Sequence, residues 1–186
     1  MSSAASKPQN REAEDFYATP VSVVRQLLAV EAFEGSIWEP CCGNGAISTV
    51  LEAASYSVVS TDLMDRGYGC PFIDFLMETR TLGANIVTNP PFADAPAFVR
   101  KALALCGGKV AFLLKLGFLE GPTKQDLHRR LSRVWVIRRR VTFLKGGREH
   151  TRSQGKGGIH TYAWFIFDPS HTGAPTIGWL EGEPCK

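Results

Sequence analysis

The sequence predicts a single α/β domain: a mostly parallel sheet of about seven strands, wrapped on both faces by helices, with an antiparallel last strand. Three observations lead there. Short apolar runs alternate with segments of helical periodicity, the pattern of strand–helix–strand units. Polar or glycine-rich stretches follow four of those runs, where open parallel sheets bind their ligands. The last two runs have no helix between them, so they pair antiparallel.

Each element has its own warrant. In "TPVSVVRQLLAVEAF" the apolar residues Val23, Val24, Leu27, Leu28 and Phe33 keep helical spacing, with Thr19 as cap and Pro20 in the first turn. "SIWEP" is a first strand stopped by proline, "CCGNG" a turn and "AISTVLEAA" a helix. "SVVSTD" is a second strand, and a short third is expected near "CPFIDF". "ANIVTN" is a fourth strand, followed by the helix "DAPAFVRKALALC". "KVAFLLKL" is a fifth strand and "TKQDLHRRLS" a helix, before the final strands "RVWVIRRR" and "HTYAWFIFD". This divides the chain into a disordered arm over 1–14, one domain over 15–168 with a basic loop at 143–160, and a tail over 169–186.

The 186 residues, 44% hydrophobic and 21% charged, suit one globular domain with a core of ordinary size. No apolar run reaches the roughly 20 residues of a membrane span, and the first residues lack the apolar stretch of a signal peptide. Five cysteines without CxxC spacing argue against a disulfide framework or a metal site. Reduced thiols in a cytoplasmic protein are the expectation. The net charge of +3 conceals an asymmetry. Residues 123–160 hold eleven Lys or Arg against two acids, a balance of +9, so the remainder carries −6. Basic charge gathered in one segment fits a polyanionic partner.

Four stretches carry the chemistry. In "EPCCGNG", Gly43 and Gly45 permit a tight turn and close approach of a ligand. The dinucleotide pattern is incomplete, because Ser48 stands where its third glycine would be. Glu39 repels a pyrophosphate but welcomes a cation, so a ligand with a positive centre and an amino acid tail fits better. Asp62, nineteen residues after Gly43, is placed to accept from ribose hydroxyls; it or Asp65 is otherwise a turn residue. Asp74 can accept from an exocyclic amine and Phe75 can stack on a purine, or the pair is a helix cap and a core ring. In "NPPF", Asn89 offers a side-chain carbonyl and Pro90 a backbone carbonyl. Pro91 stiffens the turn. Two carbonyls so held can each accept one hydrogen of an NH₂ group and aim its lone pair, with Phe92 stacked on the attached ring.

The ordered set "DFYATP", "EPCCGNG", "TD", "DF" and "NPPF" resembles the class I S-adenosylmethionine-dependent methyltransferases that act on exocyclic amines. It is most similar to the small adenine-N6 DNA methyltransferases of phages and prophages, over about Asp15 to Asp168. The resemblance implies a Rossmann-like domain with S-adenosylmethionine as cofactor. It implies cofactor contacts at Tyr17, Thr19, Pro20, Glu39, Cys41, Gly43, Gly45, Asp62, Asp74, Phe75 and Asn89. The target base would meet Asn89, Pro90, Pro91 and Phe92, and no nucleophilic cysteine is needed. Cys41 and Cys42 replace the small residues usual in the glycine loop. The partner is nucleic acid, DNA favoured over RNA. An RNA adenine methyltransferase, a protein-glutamine methyltransferase and a non-catalytic binding module of the same fold are the alternatives.

Without room for a separate recognition domain, nucleic acid falls to the basic segment: Arg138, Arg140, Lys145, Arg148, Arg152 and Lys156. Phe143, if not a core residue, supports a flipped base opposite Phe92. Replacing Arg148, Arg152 and Lys156 together with alanine should weaken nucleic-acid binding and flatten its salt dependence. The expected change in the slope of log affinity against log salt is about 0.9 per lost contact on duplex DNA and about 0.7 on single strands. Titrations at several salt concentrations check it, and an unaltered slope removes these residues from the binding surface.

Overall fold

The structure, a computed structural model, describes residues 17–139, 141, 144–145 and 160–181. Its main sheet has seven strands in the order β3-β2-β4-β5-β8-β6-β9. These are β2 (Ile37–Glu39), β3 (Val58–Ser60), β4 (Asn85–Thr88), β5 (Val110–Lys115), β6 (Arg133–Ile137), β8 (Tyr162–Phe167) and β9 (Thr176–Leu180). A separate two-stranded ribbon joins β1 (Tyr17–Ala18) to β7 (Leu144–Lys145). Strands β3, β2, β4 and β5 are mutually parallel, whereas β8 runs antiparallel to β5 on one side and to β6 on the other. The α/β class and the antiparallel pairing of the last two expected strands are therefore observed.

Side chains alternate across the sheet with a period of two, and both faces are buried. Along β5, Ala111 and Leu113 enter one core, while Val110, Phe112 and Leu114 enter the other. Along β8, Tyr162, Trp164 and Ile166 face the first core, and Ala163, Phe165 and Phe167 the second. Helices α1 (Val21–Leu28) and α2 (Ser48–Ala53) cover the first face. Helices α3 (Ala95–Leu105) and α4 (Gln125–His128) cover the second. A strand buried on both sides reads as a continuous apolar run, which is why "VAFLL" and "YAWFIF" lack polar residues.

Four expectations are corrected. The stretch near "CPFIDF" forms no third strand. Cys70 makes one isolated bridge to Thr61, Phe72 adopts φ +64°, and Asp74 accepts from Leu76 N–H at 2.9 Å to start a 3₁₀ turn over Phe75–Met77. Pro71 has no N–H to extend a ladder. The seventh strand lies in the presumed tail: β9 pairs parallel with β6 from Arg133↔Thr176 to Ile137↔Leu180. Its five residues follow a proline- and glycine-broken stretch, so no periodicity announces it. The first helix ends at Leu28, with Pro20 as its cap residue and no side-chain cap bond. The helix expected over Thr123–Ser132 contracts to a 3₁₀ turn, Pro122–Lys124, and the four residues of α4.

At the amino end of the parallel strands lies a dense charge network. Glu31, 3% exposed at its side chain, accepts from Arg133 Nε at 2.5 Å, Lys109 Nζ at 2.7 Å and Trp135 Nε1 at 2.9 Å. Asp168 accepts from the same Arg133 at 2.9 Å. Burial works to raise the Glu31 carboxyl, but the bonds from Arg133, Lys109 and Trp135 outweigh it and hold it below the usual value. Burial likewise opposes ionisation of Asp168, yet bonds from Ser170 and Arg133 bring it down from 3.8 to about 2. A carboxyl depressed in the folded state adds stability above its unfolded pKa and loses it as pH falls through the folded one. Stability measured by denaturant should therefore drop as pH falls from about 4 to about 2, and Asp168→Asn should remove part of that drop. Equal pH profiles for the two proteins would contradict the assignment.

Candidate cofactor and substrate cleft

The carboxyl ends of β2, β3 and β4 open onto one cavity of about 440 Å³, within the range of small-molecule sites. The turn after β2 is set by two buried carboxylates. Glu39, 1% exposed, accepts from Ser48 N–H at 2.8 Å and from the Ser48 hydroxyl, which also meets the Ser60 hydroxyl. Asp62, at the end of β3, accepts from Gly43 N–H at 2.8 Å and Met64 N–H at 2.9 Å. Gly43 and Gly45 both have positive φ, 55° and 81°. A Cβ on Gly45 would stand 2.5 Å from the Tyr68 ring, so the turn admits only glycine there.

Ser48 is the residue that sequence reasoning missed. Its place as the absent third glycine was the available signal. Here it ties the start of α2 to the end of β2 through Glu39. Burial pushes the Glu39 carboxyl well above the usual range, against the pull of the Ser48 bonds, and the neighbouring Asp62 and Glu52 charges add to the rise. A cationic ligand group beside Glu39 would reverse that and favour the carboxylate.

The residues of the expected clamp, Asn89 to Phe92, follow β4 and line the cavity. Asn89 donates from Nδ2 to Thr19 Oγ1 at 3.1 Å and to the Tyr17 carbonyl at 3.5 Å. Thr19 thus orients Asn89 instead of capping α1. The Asn89 Oδ1 is buried and has no partner among the described residues. Among the described residues two other buried side-chain oxygens, of Gln26 and Thr88, share that state, but neither residue lines the cavity. Pro90 does line it, and no hydrogen bond among the described residues ends on its carbonyl. The Pro91 carbonyl instead accepts from Asp94 N–H at 3.2 Å, which closes the turn into α3. An unpaired buried acceptor such as Asn89 Oδ1 costs roughly 1–3 kcal/mol. Phe92 is half-buried at the same wall, 5.4 Å from the Tyr162 ring and 5.1 Å from the Lys115 ammonium.

The other expected contacts divide. Tyr17, Thr19, Cys41, Asp62 and Asp74 line the cavity. Pro20, Gly43 and Gly45 shape its turns without lining it. Asp74 caps the 3₁₀ turn with one oxygen, which leaves the other for a ligand. Phe75 also lines the cavity, although its ring is 2% exposed, stacked on Phe98 at 5.5 Å and edge-on to Trp38 at 5.1 Å. Asp74 is thus a cap, and Phe75 is a core ring at the cavity wall. Burial, helped by the Asp62 charge, pushes the Cys41 thiol well above its usual range, and burial pushes Cys42 up to about 12. Neither is a thiolate at neutral pH. Of the basic residues, Arg138 pairs with Glu181 at 2.9 Å on the surface. The backbone of Lys145 pairs with Tyr17 in the small ribbon. Arg140, Phe143, Arg148, Arg152 and Lys156 lie outside the described residues.

No protein-family model matches the sequence, and a search of curated proteins returns no match. Solved structures do match. A provisionally assigned RNA methyltransferase from Pyrococcus horikoshii aligns at 12% identity and TM-score 0.57, over 87% of this chain and 91% of its own. The modification subunit of a provisionally assigned type I restriction enzyme from Vibrio vulnificus aligns at 15% and 0.59, over 96% of this chain but 49% of its own. A provisionally assigned class I S-adenosylmethionine-dependent methyltransferase from Listeria monocytogenes aligns at 11% and 0.57, over 86% and 62%. The chain therefore has the class I methyltransferase fold. Where its own cavity lies agrees with the rule for ligands in such sheets.

Asp62→Ala should strand two N–H groups, of Gly43 and Met64. Each left without an acceptor costs roughly 1–3 kcal/mol, so denaturant unfolding should show a loss of that order. Unchanged stability would mean that Asp62 does not hold the turn.

Proposed function

We propose that the protein is an S-adenosylmethionine-dependent methyltransferase that modifies the exocyclic N6 amine of adenine in DNA. The observation that carries the proposal is the pair of unpartnered carbonyls, Asn89 Oδ1 and Pro90 O, at the wall of a cofactor-sized cavity. Residues at the cavity fit the cofactor. Glu39 suits an ammonium, Asp62 and the free Asp74 oxygen suit hydroxyl and amine donors, and the exposed Leu63 and Met64 at the rim suit an apolar ring face. When bound, S-adenosylmethionine supplies an electrophilic methyl group on a sulfonium centre.

The chain's own residues do the rest. A duplex adenine must leave its stack, at a cost of a few kcal/mol. Asn89 and Pro90 each accept one N6 hydrogen, which works against conjugation of the lone pair with the ring and directs it away from the clamp. Thr19 fixes which end of the Asn89 amide faces the substrate. Phe92 offers a ring for the base, worth about 1–3 kcal/mol by stacking. Held beside Glu39, Asp62 and Asp74, the cofactor would supply the methyl group to the amine, which would give up one proton to solvent. The neutral thiols of Cys41 and Cys42 take no part. The basic balance of residues 123–160 supports a nucleic-acid substrate over a protein side chain.

Incubation with labelled cofactor and separate pools of DNA, RNA and protein tests the reading. Digested DNA should contain N6-methyladenine, and Asn89→Ala should abolish transfer while calorimetry shows unchanged cofactor affinity. N4-methylcytosine as the main product, or label confined to RNA or protein, would overturn the assignment.

A further inference from the structure

A second cavity, of about 610 Å³, adjoins the first, and Phe92 and Ala93 line both. Its walls carry Lys115, Lys124 and His160, with Glu120 as the carboxylate. The two ammonium groups are held in similar ways. Lys115 Nζ sits 5.1 Å from the Phe92 ring centroid, and Lys124 Nζ sits 5.0 Å from that of Phe118 while donating to the Gly117 carbonyl at 3.3 Å. A ring positions a cation without neutralising it. Among the described residues neither lysine has a carboxylate within salt-bridge distance. Arg100 is compensated by Asp126, Lys109 by Glu31, Arg133 by Glu31 and Asp168, and Arg138 by Glu181, whereas Arg80, Lys101 and Arg129 share the state of the two lysines but line neither cavity.

We infer that this second cavity binds backbone phosphate of the strand that carries the target base. The inference rests on the function proposed above. A base against Phe92 has phosphates attached through its sugar, and the cavity across the Phe92 wall presents two uncompensated cations. Lys115 would then join two tasks. It stands over the ring expected to meet the base, and it offers its N–H groups to the neighbouring phosphate.

The test compares the full chain with Lys115→Gln, Lys124→Gln, the double variant and a Lys115→Arg/Lys124→Arg control. Each is titrated with single-stranded and duplex oligonucleotides at several salt concentrations, with S-adenosylhomocysteine present. The double Gln variant should lower the salt slope by about 0.7 per lost contact on single strands and about 0.9 on duplex. Each single variant should lose about one contact, and the Arg control should retain the slope. Affinity for S-adenosylhomocysteine should not change. If the parent protein methylates nucleic acid but the Gln variants keep its slope, the phosphate site is overturned and the proposed function stands. If the parent binds and labels neither DNA nor RNA, both fall. If the Gln variants lose affinity for inorganic phosphate with no change in slope, the cavity takes a small free anion and the strand assignment is overturned.

Discussion

Two buried carboxylates at the ends of neighbouring strands set the geometry on which the cleft depends. A carboxylate removed from water needs donors at close range. Glu39 finds them in Ser48, and Asp62 finds them in Gly43 and Met64. Those bonds decide the path of the chain from β2 into α2, and they tie that path to the end of β3. The turn can then close only with glycine at position 45, where Tyr68 occupies the space a side chain would need. The cavity is what remains when the turn has been pulled toward both strands.

The two ends of the sheet treat polar groups in opposite ways. At the amino end, Glu31, Lys109, Arg133, Trp135 and Asp168 satisfy one another across segments far apart in the chain. A fully paired network of this kind rigidifies. At the carboxyl end, Asn89 Oδ1 and the Pro90 carbonyl have no partner among the described residues, although Asn89 is fixed by Thr19 through its amide nitrogen. One end of the sheet is thus fully paired, and the other carries acceptors that the described residues leave unmet.

Strand β8 extends this organisation to the wall that carries Phe92. Because it runs antiparallel between β5 and β6, its first residue, Tyr162, lies opposite Lys115 at the carboxyl end of β5. That register sets Tyr162 beside Phe92 and places Lys115 over the same Phe92 ring. The small ribbon of β1 and β7 lies at the cavity. It pairs Tyr17, which lines the cavity, with Lys145, so part of the basic segment is joined to the element whose carbonyl accepts from Asn89.

The sequence by itself determined the class of the fold, the antiparallel pairing of "RVWVIRRR" with "HTYAWFIFD", and the four stretches that meet at the cleft. Those features rest on local signals: apolar runs of strand length, helical periodicity, and glycine or proline at strand ends. Tertiary structure decided the rest, because each remaining choice depends on a partner distant in the chain. Thr19 reads as a helix cap until Asn89, seventy residues on, claims its hydroxyl. Phe75 reads equally as a stacking ring or a core ring until Trp38 and Phe98 are seen packed against it. Ser48 reads as a failed glycine until Glu39 is seen to need a donor there. Strand β9 carries no period of its own and exists because β6 offers it a ladder. A residue's role at such places is set by the partner that satisfies it, and only the folded chain names the partner.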